Sequence, residues 1–194
     1  MFSFLSRNHR LLSRYRCWVD LINIKEEGLQ NFSQSNLQSE TRSLSERIRG
    51  LDRFDKDALI DACSLVKTAC RRLAGQKWNV CGIEYEWHMI PFDVQVMGGL
   101  ALIEGKIAQM ATGEGKTLAA AFALFYHALS GKGAHLATAN DFLALRDCQW
   151  MGGVFEYLGL KVGCIQAQMP FEERKKPTRL ILPTEAGKSL DLII

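Results

Sequence analysis

Apolar residues at helical spacing predict that the chain begins with helices. Residues 8–30 form the first candidate helix, whose apolar side is made of Leu11, Leu12, Tyr15, Val19, Ile22 and Ile24. Arginines occupy much of the remaining surface of this segment. A basic amphipathic helix can lie on an anionic membrane surface, or it can dock on its own domain with a solvated basic face. The segment alone leaves both interpretations open.

The next stretch predicts two further helices. Residues 31–40 are rich in Ser, Asn and Gln, which is typical of a linker or a cap. Residues 39–48 predict a short helix. From residue 56 to residue 73, apolar residues recur at helical spacing, and Asp55 or Asp57 can cap the start of that helix. We expect both helices to build a core and to carry no chemistry.

After residue 75 the pattern changes to alternating strands and helices. Residues 78–87 predict a hairpin with its turn at Cys81 and Gly82. Because strands that alternate with helices favour right-handed crossovers, we expect a parallel sheet with its ligand at the carboxyl ends of the strands. The predicted fold class is α/β, with helices preceding it. The predicted strands are residues 106–110, 133–138 and 161–165, and the predicted helices are residues 116–129 and 141–158.

Residues 110–117, Met-Ala-Thr-Gly-Glu-Gly-Lys-Thr, lie between a predicted strand and a predicted helix, as a phosphate-binding loop does. Gly113 and Gly115 can let successive backbone N–H groups point at an anion, aided by the helix dipole. Lys116 can reach the β- and γ-phosphates, and the Thr117 hydroxyl can hold Mg²⁺. Met110 stands where the usual pattern begins with glycine. The alternative is a glycine-rich turn with an ordinary surface lysine.

Gln95 precedes this loop and is a candidate for recognising a base. Its amide offers one donor and one acceptor, which is what the edge of adenine requires. A glutamine on a helix surface is the alternative interpretation.

Charge and cysteine usage narrow the function classes. The net charge of +3 says little by itself, but Arg7, Arg10, Arg14 and Arg16 all precede the first acidic residue. The six cysteines form no C-x-x-C pair, so neither a zinc site nor a redox motif is supported, and we expect free thiols in a reducing cytosol. No apolar run is long enough to predict a membrane span, and the apolar start is too short for a signal-peptide core.

Several motifs follow one another in a fixed order: FDVQVMGG from residue 92, EGKIA from 104, TGEGKTL from 112, ALSGKGAHL from 128, TANDFLALRD from 138 and YLGLKVG from 157. In this order and at this spacing they resemble the N-terminal part of the SecA family, the ATP-driven motors of bacterial protein export. The resemblance covers residues 8 to about 175. Ala111, Ala139 and Phe142 depart modestly from the family pattern.

The resemblance implies an incomplete P-loop, helicase-like nucleotide-binding domain that uses ATP and Mg²⁺. In the family pattern Gln95 would contact adenine, and Thr117 would hold Mg²⁺. Asn140, Asp141 and Arg146 match a helicase-like motif that relays the nucleotide state. The residues that would cradle the phosphates are Gly113, Glu114, Gly115, Lys116 and Thr117.

The same resemblance implies partners and a location. A SecA motor couples ATP hydrolysis to the export of preproteins through the SecYEG channel, and its basic N-terminal helix touches acidic lipids and SecY. The expected location is the cytoplasm and, peripherally, the cytoplasmic face of the inner membrane. The full-length relative can form a homodimer, and no nucleic-acid partner is expected.

We predict three segments: an N-terminal helical segment over residues 1–90, a partial SecA-type nucleotide-binding domain over residues 91–176, and an aberrant tail over residues 177–194. The resemblance stops after Lys176. One back-translation of the tail, read one base out of frame, gives ADPADITYGSGKIFGFDY, which resembles the family's continuation. We therefore hypothesise a one-base frameshift.

No catalytic residue is predicted. In the family, the Asp-Glu pair that places Mg²⁺ and the attacking water lies beyond residue 194, as does the second motor domain. We therefore expect weak nucleotide binding and almost no turnover. One alternative is a non-catalytic module that binds membrane or channel through residues 8–24. Another is an unrelated small P-loop kinase or NTPase that would use Asp141 or Asp147.

Overall fold

The computed structural model describes residues 2–49, 55–167, 169–170 and 192–193, with side chains between residues 8 and 170. Helices dominate this part of the chain, and the strands are short. The helices are α1 (Phe2–Leu29), α2 (Gln34–Arg49), α3 (Lys56–Arg72), α4 (Asp93–Ile103), α5 (Lys116–Ala128) and α6 (Asp141–Tyr157). The strands are β1 (Lys77–Val80), β2 (Ile83–Glu86), β3 (Ala134–His135) and β4 (Leu192–Ile193).

Helix α3 lies at the centre of the hydrophobic core, in contact with α1, α2, α5 and α6. Asp55 caps it as predicted, since one carboxylate oxygen accepts from the N–H groups of Asp57 and Ala58 at 2.8 and 3.2 Å. Buried residues occur on every side of this helix, and its buried hydroxyl groups, on Ser64 and Thr68, donate to carbonyls one turn earlier. The Ser64 hydroxyl, for example, donates to the carbonyl of Ile60 at 2.7 Å.

Helix α1 confirms the first predicted helix but corrects its apolar side. Tyr15, Val19 and Ile22 are buried as expected. Leu12 and Ile24 point away from the core, with 46% and 67% of their surfaces exposed. The helix turns by about 100° per residue. Leu12 and Ile24 therefore lie on either side of the buried face of the helix and not within it. Trp18, Glu26 and Leu29 complete the buried side instead.

Residues 31–40 include the predicted cap, but most of them are helical rather than a linker. The Ser33 hydroxyl, just before α2, accepts from the Asn36 N–H at 3.2 Å. Helix α2 begins at Gln34 and continues without interruption through the predicted short helix over residues 39–48. Leu37, Thr41 and Leu44 face the core from this helix. Ser35, Asn36 and Ser39 are exposed to solvent. Gln34 and Gln38 instead donate to the Tyr157 carbonyl at 3.3 and 3.2 Å.

The predicted hairpin is confirmed. Strands β1 and β2 pair antiparallel, with Trp78 opposite Tyr85 and Val80 opposite Ile83. The turn residues Cys81 and Gly82 have φ of 51° and 86°, the two positive values that a type I′ turn requires. Two hydrogen bonds attach the hairpin to Gln149 of α6: one from the Trp78 indole to its carbonyl at 3.0 Å, the other from the Cys81 N–H to its side chain at 2.7 Å.

The predicted parallel sheet is reduced to one short pair. Strand β3 pairs parallel with β4, Ala134 opposite Leu192 and His135 opposite Ile193. Residues 106–110 are not a strand, and within residues 161–165 a single bridge forms at Gly163. A strand needs a neighbour to satisfy its backbone, and the described residues supply none to these two segments. Apart from β4, the predicted tail over residues 177–194 lies outside the described residues.

In the part of the chain that the structure describes, no helix combines the length and the apolarity needed to cross a bilayer.

Candidate nucleotide-binding site

The glycine loop leads directly into α5, as the sequence predicted. Gly113 and Gly115 adopt left-handed conformations with φ of 86° and 78°. Gly115 is the N-cap of α5 and supplies no side-chain oxygen, so no side chain of the described residues caps the first turn. The leading N–H groups of a helix have no intrahelical partner. Together with the helix dipole, they leave a positive site at the start of α5.

Lys116 and Thr117 are the first two residues of α5. The Lys116 ammonium donates to the backbone carbonyls of Met110 and Ala111 at 3.2 and 2.7 Å, so it lies across the mouth of the loop. Glu114 is exposed at the tip, and its N–H donates to the carbonyl of Ala111 at 3.3 Å. Thr117 is partly exposed. Its hydroxyl is therefore accessible beside the loop.

Gln95 is brought against the loop from α4. Its side-chain oxygen accepts from the Phe92 N–H at 2.9 Å, and its side-chain nitrogen donates to the Glu114 carbonyl at 3.1 Å. With 9% of its surface exposed, Gln95 is not the helix-surface residue of the alternative interpretation. A Cβ at position 115 would lie 2.3 Å from the Gln95 amide nitrogen. Glycine is favoured at position 115 by its φ of 78°, and its lack of a Cβ leaves room for the Gln95 amide.

The three residues of the helicase-like motif cluster at the start of α6. The Asn140 side chain caps the helix by accepting from the Leu143 N–H at 2.9 Å. The Asp141 carboxylate accepts from the Ala167 N–H at 3.0 and 3.1 Å. Arg146 donates to the buried Asp147 at 2.6 and 2.9 Å. Within the described ranges, no hydrogen bond or ion pair joins these side chains to the phosphate loop.

Glu104 is a residue of this region that the sequence did not single out. It follows α4 and accepts two hydrogen bonds from Arg14 at 2.6 and 2.7 Å and one from the Tyr15 hydroxyl at 2.7 Å. Lys106 also donates to it. Burial favours the protonated carboxyl, but the bonds from Lys106 and Tyr15 and the charge of Arg14 outweigh it and lower the pKa of Glu104. These contacts tie α1 to the segment that enters the loop.

The glycines of α4 explain the unusual residue at the start of the loop. A Cβ at Gly98 would lie 3.1 Å from the Met110 sulfur, so this glycine makes room for the larger side chain. At Gly99 a Cβ would lie 2.6 Å from the Phe122 Cβ, so α4 and α5 approach closely here. In the sequence, the adjacent glycines Gly98 and Gly99 within a helical pattern indicate that another element packs closely against the helix.

Comparison with known proteins identifies the family to which the chain belongs. The model of the SecA DEAD-like domain matches residues 1–178 of the 194-residue chain. The chain belongs to the SecA family. Among curated proteins, the protein translocase subunits SecA of Chlamydia muridarum and Chlamydia abortus are each 42% identical to it over 172 residues. That of Chlamydia pneumoniae is 42% identical over 173 residues.

The SecA relatives are much longer than this chain. Each alignment covers 89% of this chain and 18% of the SecA relative. The chain therefore spans less than a fifth of the length of the SecA proteins that it matches. Its mixed helices and strands agree with a DEAD-like domain of this family.

The chemistry of the loop fits the nucleotide that a SecA motor uses. Two left-handed glycines, an uncapped helix start and a lysine are suited to the phosphate groups of ATP. The hydroxyl of Thr117 is suited to Mg²⁺, which prefers oxygen ligands. ATP with Mg²⁺ would supply the phosphoryl group whose transfer powers such a motor.

Proposed function

We propose that this chain is the ATP-binding N-terminal part of a SecA-type preprotein translocase motor. Gly113, Glu114, Gly115, Lys116 and Thr117 bind the phosphates, with Thr117 on Mg²⁺. The observation that carries the proposal is the uncapped start of α5, which follows two left-handed glycines and opens on Lys116. A glycine-rich turn with an ordinary surface lysine gives no reason for that lysine to bridge two carbonyls of the loop.

Nucleotide binding requires two exchanges of hydrogen bonds. The Lys116 ammonium leaves the carbonyls of Met110 and Ala111 for phosphate oxygens, a stronger charge-assisted interaction. Gln95 gives up one or both of its backbone partners, Phe92 and Glu114, to present its amide to adenine. Because each exchange replaces an existing bond, the net affinity is smaller than the number of new contacts suggests.

We propose that the 194-residue chain alone binds ATP weakly and does not turn it over. Its sequence contains no Asp-Glu pair to place Mg²⁺ and the attacking water. The acids that an unrelated small kinase would use have other roles here: Asp141 accepts from the Ala167 N–H, and Asp147 is paired with Arg146. Asn140, Asp141 and Arg146 are therefore proposed as relay residues in the whole motor rather than as catalytic groups.

Titration with Mg²⁺-ATP by calorimetry tests this proposal. We expect Lys116→Ala to weaken binding by about tenfold or more, because a phosphate loses its charged donor. The exposed Lys132, just beyond α5, provides a matched control: Lys132→Ala should leave the dissociation constant unchanged. Equal affinity in the two variants would refute the phosphate loop. Turnover by the isolated chain that is lost in Asp141→Ala would instead favour the small kinase.

The proposal extends to the partners of a SecA motor. Preproteins, the SecYEG channel and acidic lipids are the proposed partners of the whole protein, which would lie in the cytoplasm and peripherally on the inner membrane. A homodimer is proposed for the full-length form, and no nucleic acid is involved. The division at residues 1–90, 91–176 and 177–194, and the frameshift, remain predictions.

A non-catalytic membrane-binding role is the second candidate, supported by the solvent side of α1. Leu12, Leu21 and Ile24 expose 46%, 41% and 67% of their surfaces, and Arg10 and Arg16 are exposed on the same helix. Apolar and basic side chains exposed together suit an interface with anionic lipid.

Sedimentation with phosphatidylglycerol vesicles tests this role. Replacing Arg10 and Arg16 with Gln should weaken binding by roughly tenfold or more. Arg14→Gln should matter less, because Arg14 is already engaged with Glu104. Lys116→Ala should have no effect. Equal sedimentation with phosphatidylcholine vesicles would contradict the electrostatic mechanism.

A further inference from the structure

The segment that follows α6 runs back along that helix. Near its start, a Cβ at Gly152 would lie 3.7 Å from Val162, which is ordinary packing contact. Further along, the Asp141 carboxylate accepts from the Ala167 N–H at 3.0 and 3.1 Å. The positions therefore pair in reverse order, 152 with 162 and 141 with 167. Residues 148 and 164 lie between these two points of attachment.

Both of these intermediate positions are cysteines, and their side chains meet. Cys148 lies one helical turn before Gly152 and Cys164 lies two residues after Val162, so the two thiols are neighbours, and each affects the pKa of the other. Neither is deeply enclosed, since both residues are partly exposed. The turn of the hairpin closes one side of the pair, because the Cys81 N–H donates to the side chain of Gln149, next to Cys148 in α6. Neighbouring thiols on two separately anchored segments are candidates for a disulfide.

We propose that Cys148 and Cys164 form a redox-sensitive thiol pair that closes to a disulfide by exchange with a low-molecular-weight disulfide such as oxidised glutathione. This inference does not depend on nucleotide binding. The spacing of the two cysteines in sequence matches no redox motif, so the pair becomes visible when the chain folds back along α6.

The exchange proceeds in two steps that balance. The Cys164 thiolate attacks one sulfur of oxidised glutathione, whose S–S bond breaks and releases one glutathione thiolate, which takes up a proton. Cys148 then loses its proton to solvent and attacks the Cys164 sulfur of the mixed disulfide, expelling the second glutathione. Overall, two protein thiols are oxidised and one molecule of oxidised glutathione is reduced to two of glutathione.

The environments of the thiols assign these roles. Burial, followed by the charges of Cys164 and Glu156, raises the pKa of Cys148 to about 12. Burial also raises the pKa of Cys164, but the hydrogen bond from Cys148 opposes that rise. Cys164 is therefore the sulfur that ionises more readily and attacks first. Cys63 and Cys70 are fully buried in α3, and burial raises the pKa of each thiol further, so they do not compete.

The disulfide would fix α6 at Cys148, in the middle of the helix, to the returning segment. Asn140, Asp141 and Arg146 precede Cys148 at the start of the helix, and Asp141 already contacts the same segment. A covalent link between the two would restrict their relative movement. Oxidation would therefore restrict the movement of Asn140, Asp141 and Arg146 without modifying their side chains.

Incubation of the 194-residue chain with a glutathione redox series, followed by alkylation and peptide mass spectrometry, tests the pair. We expect a disulfide-linked peptide joining Cys148 and Cys164, with the loss of two hydrogens per chain. Closure should raise Tm by roughly 5–10 °C, because the unfolded chain loses conformational freedom. Cys148→Ser and Cys164→Ser should each abolish both effects. Cys17→Ser, at an exposed cysteine of α1, should abolish neither.

The alternative outcomes are distinct. Stable glutathionylation of Cys164 without the linked peptide would overturn the proposal, as would a linkage of Cys164 to Cys81. Melting of Cys148→Ala in reducing buffer separates a folding defect from a loss of the disulfide. If that variant melts as the reduced parent does and still gains stability on oxidation, the pair is wrong.

Discussion

Helix α3 and residues 106–110 both contain apolar side chains, but those of α3 are buried and Ile107 is exposed to solvent. Helix α3 is enclosed by α1, α2, α5 and α6, and Leu59 and Val66 are fully buried. Residues 106–110 contain Ile107, which exposes 96% of its surface. The two segments lie at opposite extremes of burial in one short chain.

The difference follows from where each kind of element finds its hydrogen bonds. A helix satisfies its backbone within itself and needs neighbours for packing alone. A strand needs a neighbour for its backbone as well. In the described part of the chain, residues 106–110 have no pairing strand, and they remain irregular despite a strand-like sequence.

Truncation of one apolar side chain in each segment should give the largest contrast. Leu59→Ala removes a fully buried side chain and should lower the free energy of unfolding by about 2–5 kcal/mol. Ile107→Ala removes a side chain that already faces solvent and should change it by less than about 0.5 kcal/mol. Urea denaturation of both variants measures the difference. Similar midpoints for the two would mean that the contrast in burial is wrong.

An intermediate loss of stability is expected from a substitution at the contact between α4 and α5. Helix α4 leads into residues 106–110. Gly99→Ala places a Cβ 2.6 Å from the Phe122 Cβ and 3.0 Å from the Ala119 carbonyl oxygen. Such overpacking should cost about 1–3 kcal/mol. The matched control is Gly28→Ala, since a Cβ there meets nothing within 4 Å. We expect it to be neutral or to stabilise α1 by up to about 1 kcal/mol. Thermal melts that order these variants the other way would contradict the close helix contact.

The smallest expected effect concerns the junction between α1 and residues 106–110. The pKa of Glu104 is lowered in the folded chain, so its contribution to stability is present above the pKa of the unfolded state. That contribution is lost as the pH falls from the unfolded-state pKa through the lowered folded-state pKa. Glu104→Gln should therefore flatten the acid limb of the stability profile. Glu46→Gln, at an exposed residue of α2, should leave the limb unchanged.

The same distinction explains which parts of the fold the sequence could predict. The long helices α1, α3, α5 and α6 and the hairpin were predicted because local periodicity and turn residues such as Cys81 and Gly82 determine them. The strands at residues 106–110 and 161–165 were wrong, because strand formation depends on partners that local patterns do not contain. The predicted cap is present at Ser33, but the linker within residues 31–40 was wrong because polar composition was given more weight than helical continuity.

The candidate site was predictable in outline but not in its contacts. Gly113, Gly115 and Lys116 follow from the motif, and their backbone geometry agrees with it. The role of Glu104 depends on Arg14 and Tyr15, which lie far away in sequence. Polar contacts between residues far apart in sequence produce no periodic pattern, so they could not be predicted from a single sequence.

The amide of Gln95 has a consequence for which substitutions this position tolerates. One end faces a donor, the Phe92 N–H, and the other faces an acceptor, the Glu114 carbonyl. The orientation of the amide is therefore defined by its neighbours. Glutamate has nearly the same shape, but its second oxygen would face the carbonyl oxygen and repel it. The position thus selects for a donor and an acceptor on one side chain, rather than for size or polarity alone, and the exchange to glutamate would be poorly tolerated.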